Sequence, residues 1–204
     1  MAIDVEDLTY SDGHVLPANL AEIENGCYNS YRNATGLTYR PIADSEHLDW
    51  YTSFLSAAGE RSLTDYVRED ASVIQQYRLI WLPSFDPPVF VRLTETANGR
   101  WSLVATQTSG AGGYEPGSLS RTESRDLDRN EVGRLLELTE GAALMDRVAD
   151  PCHDMGLDGA TWSVEQLDGE KYRFIQYWSP QDGPVREFGE FALGLTGWHF
   201  GEIY

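Results

Sequence analysis

Apolar positions along this chain change period four times, and each change marks an element. Leu48, Tyr51 and Leu55 recur at helical spacing behind Asp44 and Ser45, either of which can cap a helix that ends at Gly59. A second helix is expected from about Ser62, with Leu63, Tyr66 and Val67 as its inner stripe. From Val73 the pattern becomes that of a strand. Tyr77 to Leu82 is largely apolar and aromatic and stops at Pro83, and Asp86-Pro87-Pro88 forces an extended link. Val89–Glu95 and Arg100–Thr106 flank Asn98-Gly99, the strongest short hairpin signal a sequence offers. Asp128 with Glu131 then gives a capping-box start to a helix over about 129–139, with Val132, Leu135 and Leu136 as its buried stripe.

The aromatic-rich stretch 157–180 reads as a second hairpin turning at Asp168-Gly169. A two-residue Asp-Gly turn puts Trp162 and Val164 on the face of Lys171 and Arg173. Slipping the register by one residue places Trp162, Val164, Tyr172, Phe174 and Trp178 together, with Glu165 opposite Arg173. Burial favours the slipped register and a three-residue loop or bulge. Pro184 then opens a last helix, with Val185, Phe188, Phe191, Ala192 and Leu195 as its stripe and Gly197 at its end.

The order hairpin–helix, hairpin–helix reads as a duplicated ββα unit. The expected fold is α+β: an antiparallel sheet of about five strands with helices packed on one face, preceded by a helical N-terminal segment. Residues 1–72 are read as an acidic, partly helical segment packed on a core formed by residues 73–204.

Three runs, YRLIWLPSFDPPVFVRL (Tyr77–Leu93), GAGGYEPG (Gly110–Gly117) and LDGATWSVEQLDGEKYRFIQYWSP (Leu157–Pro180), together resemble an uncharacterised bacterial protein family over roughly residues 77–200. The resemblance implies no activity, ligand or catalytic residue.

Composition narrows the function classes. Over 204 residues, 41% hydrophobic content with 12% aromatics is that of a folded globular chain. The net charge of −18 comes from 33 acids against 15 basic residues, of which only Lys171 is a lysine. Residues 1–70 carry 13 acids and four arginines. Such a charge repels nucleic acid and anionic membranes and suits plain solubility or a basic protein partner. No apolar run approaches the length of a bilayer, and no secretory h-region opens the sequence. A cytoplasmic location is expected, or a periplasmic or secreted one if a signal peptide was removed. Cys27 and Cys152 are the only cysteines, outside any CxxC arrangement, and are expected as free thiols.

Candidate chemistry is sparse, and no cofactor or metal is called for. Cys152-His153-Asp154 with Asp158 crowds reactive side chains into one loop, but its spacing fits neither a zinc site nor a nucleophile–base pair. Asp126, Asp128, Asn130 and Glu137 mimic a calcium loop, yet Glu131 stands where glycine is required. The Gly110–Gly117 loop lacks phosphate-loop spacing and reads as a flexible, exposed connector with Tyr114 and Glu115 available for contact. Tyr114, Glu115, His153, Asp154 and Asp158 are therefore the candidate binding residues. If anything binds, the two loops are expected at one rim. His14, His47 and His199 are isolated, and Trp198 is the tryptophan expected to be most exposed. The leading expectation is a non-catalytic binding protein. The alternative is a small hydrolase or metal-dependent enzyme using the Cys152–Asp158 loop.

Overall fold

Seven antiparallel strands form one sheet. The computed structural model describes residues 2–22, 24–28, 39–41, 43–146 and 158–204. Strand β1 (Ala2–Asp4) lies at one edge and β7 (Leu119–Asp126) at the other. Between them run β9 (Lys171–Trp178), β8 (Ala160–Leu167), β4 (Val73–Pro83), β5 (Val89–Thr96) and β6 (Trp101–Thr108). The backbone of β2 (Glu24–Tyr28) pairs with β3 (Tyr39–Pro41) in a separate two-stranded ladder.

The helices cover both faces of the sheet, not one. Against one face pack α1 (Ser45–Ala57) and α2 (Leu63–Glu69), burying Leu48, Tyr51, Phe54 and Leu63 on Ile80, Leu82, Phe90 and Phe174. Against the other pack α3 (Arg129–Leu136) and α4 (Pro184–Leu195), burying Leu135, Val185 and Phe188 on Tyr77, Leu79, Val91 and Trp162. Double coverage explains β4. Its alternate residues feed opposite cores, Leu79 and Trp81 one and Ile80 and Leu82 the other, so this part of an antiparallel strand reads as a continuous apolar run.

Double coverage also overturns the slipped hairpin register. Leu167 faces Tyr172, Glu165 faces Phe174 and Trp162 faces Tyr177. Trp162 and Val164 therefore point to one core while Tyr172 and Phe174 point to the other. The burial argument assumed a single dry face; here both are dry, and every residue of β8 is buried. Turn chemistry then sets the register, with Gly169-Glu170 rather than Asp168-Gly169 as the two-residue loop. Asp168 N–H donates to the Lys171 carbonyl at 3.1 Å, and Gly169 takes a φ of 79°, as a two-residue turn with glycine first requires. Arg173 bonds Asp168 instead of meeting Glu165.

The strand count of about five omitted the two edges. β7 is largely exposed and carries Arg121, Glu123 and Arg125, a charged edge that discourages further pairing. Its presence between the Gly-rich loop and α3 breaks the ββα repeat: four consecutive strands precede α3, and only two precede α4. Nor are residues 1–44 α-helical where described; they hold β1, β2, β3 and two 3-10 turns, Val5–Asp7 and Ala18–Ala21, before α1 begins. Helix starts follow the expected caps. Asp44 caps α1, Ser62 caps α2, and Asp128 with Glu131 completes a reciprocal capping box on α3. Those bonds employ the would-be calcium ligands: Asp128 accepts from Asn130 and Glu131 N–H, Asp126 pairs with Arg100, and Glu137 with Arg134.

Candidate functional site

A buried ion cluster sits under α2, and a pocket opens at the end of the same face. In the cluster, Arg78 has no exposed side-chain surface, and its Nε donates to Glu165 at 2.5 Å. Its Nη1 donates to Glu60 at 3.1 Å and to the Arg61 carbonyl at 2.6 Å. Tyr172 donates to the other Glu165 oxygen at 2.9 Å, and Arg92 reaches Glu60 at 3.2 Å with its guanidinium 3.7 Å from the Tyr66 ring. Burial opposes the Arg78 charge, but the Glu165 and Glu60 carboxylates outweigh it and hold the guanidinium pKa above its ordinary value. Burial, then the adjacent Glu165 charge, pushes the Tyr172 phenol well up. With Arg78 and Glu165 both buried, this cluster fastens β4, β8 and β9 to the α1–α2 connection.

The pocket lies where β4, β8 and β9 end beneath α1, and its volume is about 460 Å³. Glu46, His47 and Trp50 come from the first turns of α1, Leu82 and Ser84 from the end of β4, and Thr161 and Trp178 from β8 and β9. Gly112, Gly113 and Tyr114 close it from the side. The helical wall is held from behind. Tyr51 donates to Gln176 Oε1 at 2.6 Å and lies 2.5 Å from Ser163 Oγ, while burial raises the phenol pKa and keeps it protonated. Trp50 packs edge-on against Phe54, ring centroids 5.2 Å apart. At the cap, Asp44 accepts from His47 N–H at 3.0 Å and meets His47 Nδ1 at 2.7 Å. Burial works against the Asp44 charge, yet these bonds prevail and hold its carboxyl below the usual range.

The Gly110–Gly117 loop is tied down rather than free. Ala111 and Glu115 form an antiparallel bridge, Gly110 N–H donates to Pro116, and Gly112 N–H donates to the Asp86 carbonyl at 3.3 Å. Glycine is needed here for close approach: a Cβ on Gly112 would lie 2.4 Å from the Leu82 carbonyl carbon. The same constraint recurs across the pocket, where a Cβ on Gly159 would meet the Trp178 ring at 2.6 Å. Tyr114 stays 70% exposed, its ring 6.1 Å from that of Phe85, which is itself 56% exposed.

The Gly110–Gly117 loop and Asp158, the one described residue of the second loop, share one end of the sheet. Gly113 N–H donates to the Ser84 carbonyl at 3.3 Å, and Ser84 N–H donates to the Gly159 carbonyl at 2.8 Å. Tyr114 and Asp158 are thus joined through Ser84. Tyr114 lines the pocket; Glu115 and Asp158 are exposed beside it. Cys152, His153 and Asp154 lie outside the described residues, as does the Cys27 side chain, so the thiol expectation falls there too. Elsewhere, His14 pairs with Asp49 at 2.7 Å, His199 is exposed, and Trp198 is half-buried under Arg121. Trp50 and Trp178 are equally half-buried, so Trp198 does not stand apart.

Most of the pocket wall escaped the sequence reading. Trp178 read as a core position and Trp50 was not singled out, and nothing local distinguishes a tryptophan that fills a core from one that walls a cavity. Among the described residues, no group of three or more His, Cys, Asp or Glu side chains is placed to hold a metal ion, and no helix is long and apolar enough to cross a membrane. No family model matches the chain, and no curated protein matches it.

Proposed function

We propose that this chain is a non-catalytic binding protein whose ligand enters the pocket between α1 and the Gly110–Gly117 loop. The observation that carries the reading is the lining itself: Trp50, Trp178, Tyr114 and Leu82 around a few polar groups, in a volume of about 460 Å³. Ligand sites are concave, mostly apolar and aromatic, with few polar groups that fix orientation. The braced α1 wall and the bonded glycine loop support it, because a preformed site loses less freedom on binding. Ligand-observed NMR against a fragment library tests it. Fragments are expected to bind the wild type and to lose about tenfold or more of their affinity in Trp178→Ala. Hits that bind this variant unchanged, or no hits at all, would overturn the reading.

A second reading, a small hydrolase or metal-dependent enzyme using the Cys152–Asp158 loop, has one observation in its favour. Asp158 precedes Gly159, whose carbonyl holds the pocket residue Ser84. Stoichiometric zinc or another transition metal in the purified protein would favour it.

A further inference from the structure

We infer that the ligand of this pocket carries an alkylated ammonium group, seated among Trp50, Trp178 and Tyr114 beside the Glu46 carboxylate. The inference rests on the pocket being a binding site, as proposed above, and adds the chemistry of its occupant.

Charge is the first observation. Five segments meet around the pocket: 44–50, 82–88, 109–118, 158–162 and 177–180. They contain Asp44, Glu46, Asp49, Asp86, Glu115 and Asp158, and no lysine or arginine. In a chain already at −18, this end of the sheet attracts cations and repels phosphates and carboxylates. Among the described residues the wall offers an anion no guanidinium and no ammonium. The only basic group among its described residues is His47, whose Nδ1 is already matched to the Asp44 carboxylate at 2.7 Å. Glu46 has no cationic partner among the described residues.

Aromatic lining is the second, independent observation. Three of the ten lining residues are Trp or Tyr, and all three keep exposed surface while other tryptophans, Trp81, Trp101 and Trp162, are buried. The faces of such rings carry the negative end of a quadrupole and draw cations, tryptophan most strongly. An alkylated ammonium satisfies both features at once. Its methyl groups suit the apolar wall, its diffuse charge suits the rings, and it is desolvated more readily than a bare ammonium. A neutral ligand gains the apolar contact but nothing from Glu46.

Calorimetric titration of the full chain with choline and with its neutral carbon isostere, 3,3-dimethyl-1-butanol, tests this directly. Choline is expected to bind about tenfold more tightly than the isostere. Glu46→Gln should weaken choline several-fold and leave the isostere unchanged, and Trp178→Ala should abolish choline binding. Equal binding of choline and isostere, with both lost in Trp178→Ala, would overturn the cation while the pocket stood as a binding site. Choline binding that survives Trp178→Ala would also overturn the inference, as would no choline binding by the wild type. Failure of the binding reading itself is seen separately, in a fragment library with no hits or none sensitive to Trp178.

Discussion

Arg78→Leu should cost this protein about 3–5 kcal/mol of stability, because it strands two buried carboxylates in one step. Arg78 has no exposed surface and bonds both Glu165 and Glu60, whose side chains are 1% and 3% exposed. Taking ions out of water is expensive, and their mutual attraction offsets it only while the pairing is complete. Arg92 and Tyr172 remain after the substitution, but each reaches only one of the two carboxylates. At about 2–4 °C per kcal/mol for a chain of this size, the melting temperature should fall on the order of 10 °C. Arg100→Leu is the matched control. Its pair with Asp126 is open to water, with both side chains more than half exposed, and exposed pairs contribute little. Thermal unfolding followed by circular dichroism reads both. Similar melting for the two variants would mean that the buried cluster does not secure the sheet to its helices.

An effect of the same size is expected from Phe188→Ala, on the opposite face. Phe188 is fully buried, its ring centroid 6.1 Å from that of Tyr77, in the core that α4 makes with β4, β5 and β8. Truncating a ring in such a place removes its transfer energy and leaves a cavity, about 3–5 kcal/mol together. Glu187, the next residue along α4, is 57% exposed and only 3.5 Å from Arg134 at its nearest approach. Glu187→Ala should therefore melt close to wild type. If Phe188→Ala did the same, α4 would not be holding that face.

These two substitutions probe cores that were unequally legible. Local signals carried well. Asp44, Ser62 and Asp128 cap the helices they preceded in sequence, and Asn98-Gly99 turns the β5–β6 hairpin with Gly99 at a φ of 77°. The Phe188 stripe of α4 was readable because its apolar residues recur at helical spacing. What failed were inferences that needed the number of covered faces. With two dry faces, alternation no longer marks inside from outside, so the register at Asp168-Gly169 was assigned from a burial preference that did not apply. β7 was invisible for the opposite reason: as an edge strand it buries almost nothing, and its polar sequence gave no periodic apolar signal. Glu165 read as one half of a cross-strand pair with Arg173. Its true partner, Arg78, lies 87 positions away, beyond what local spacing can show.

The candidate site was legible at its rim and not in its walls. Tyr114 stood out because the glycines around it set it in a loop, and those glycines serve close backbone packing, Gly112 on Leu82 and Gly113 on Ser84, rather than mobility. Trp50 and Trp178 lie 128 residues apart and converge only because α1 crosses the ends of β8 and β9. A single sequence contains no term for that convergence.

The pocket can be read residue by residue from the indole N–H signals of ¹⁵N-labelled protein, one for each of the six tryptophans. On titration with a fragment that binds, Trp50 and Trp178 should shift together, while Trp101 and Trp198, which pack against the opposite core, should hold still. Shifts at Trp101 or Trp198 with Trp50 and Trp178 unmoved would contradict the account and move the binding site to the other face.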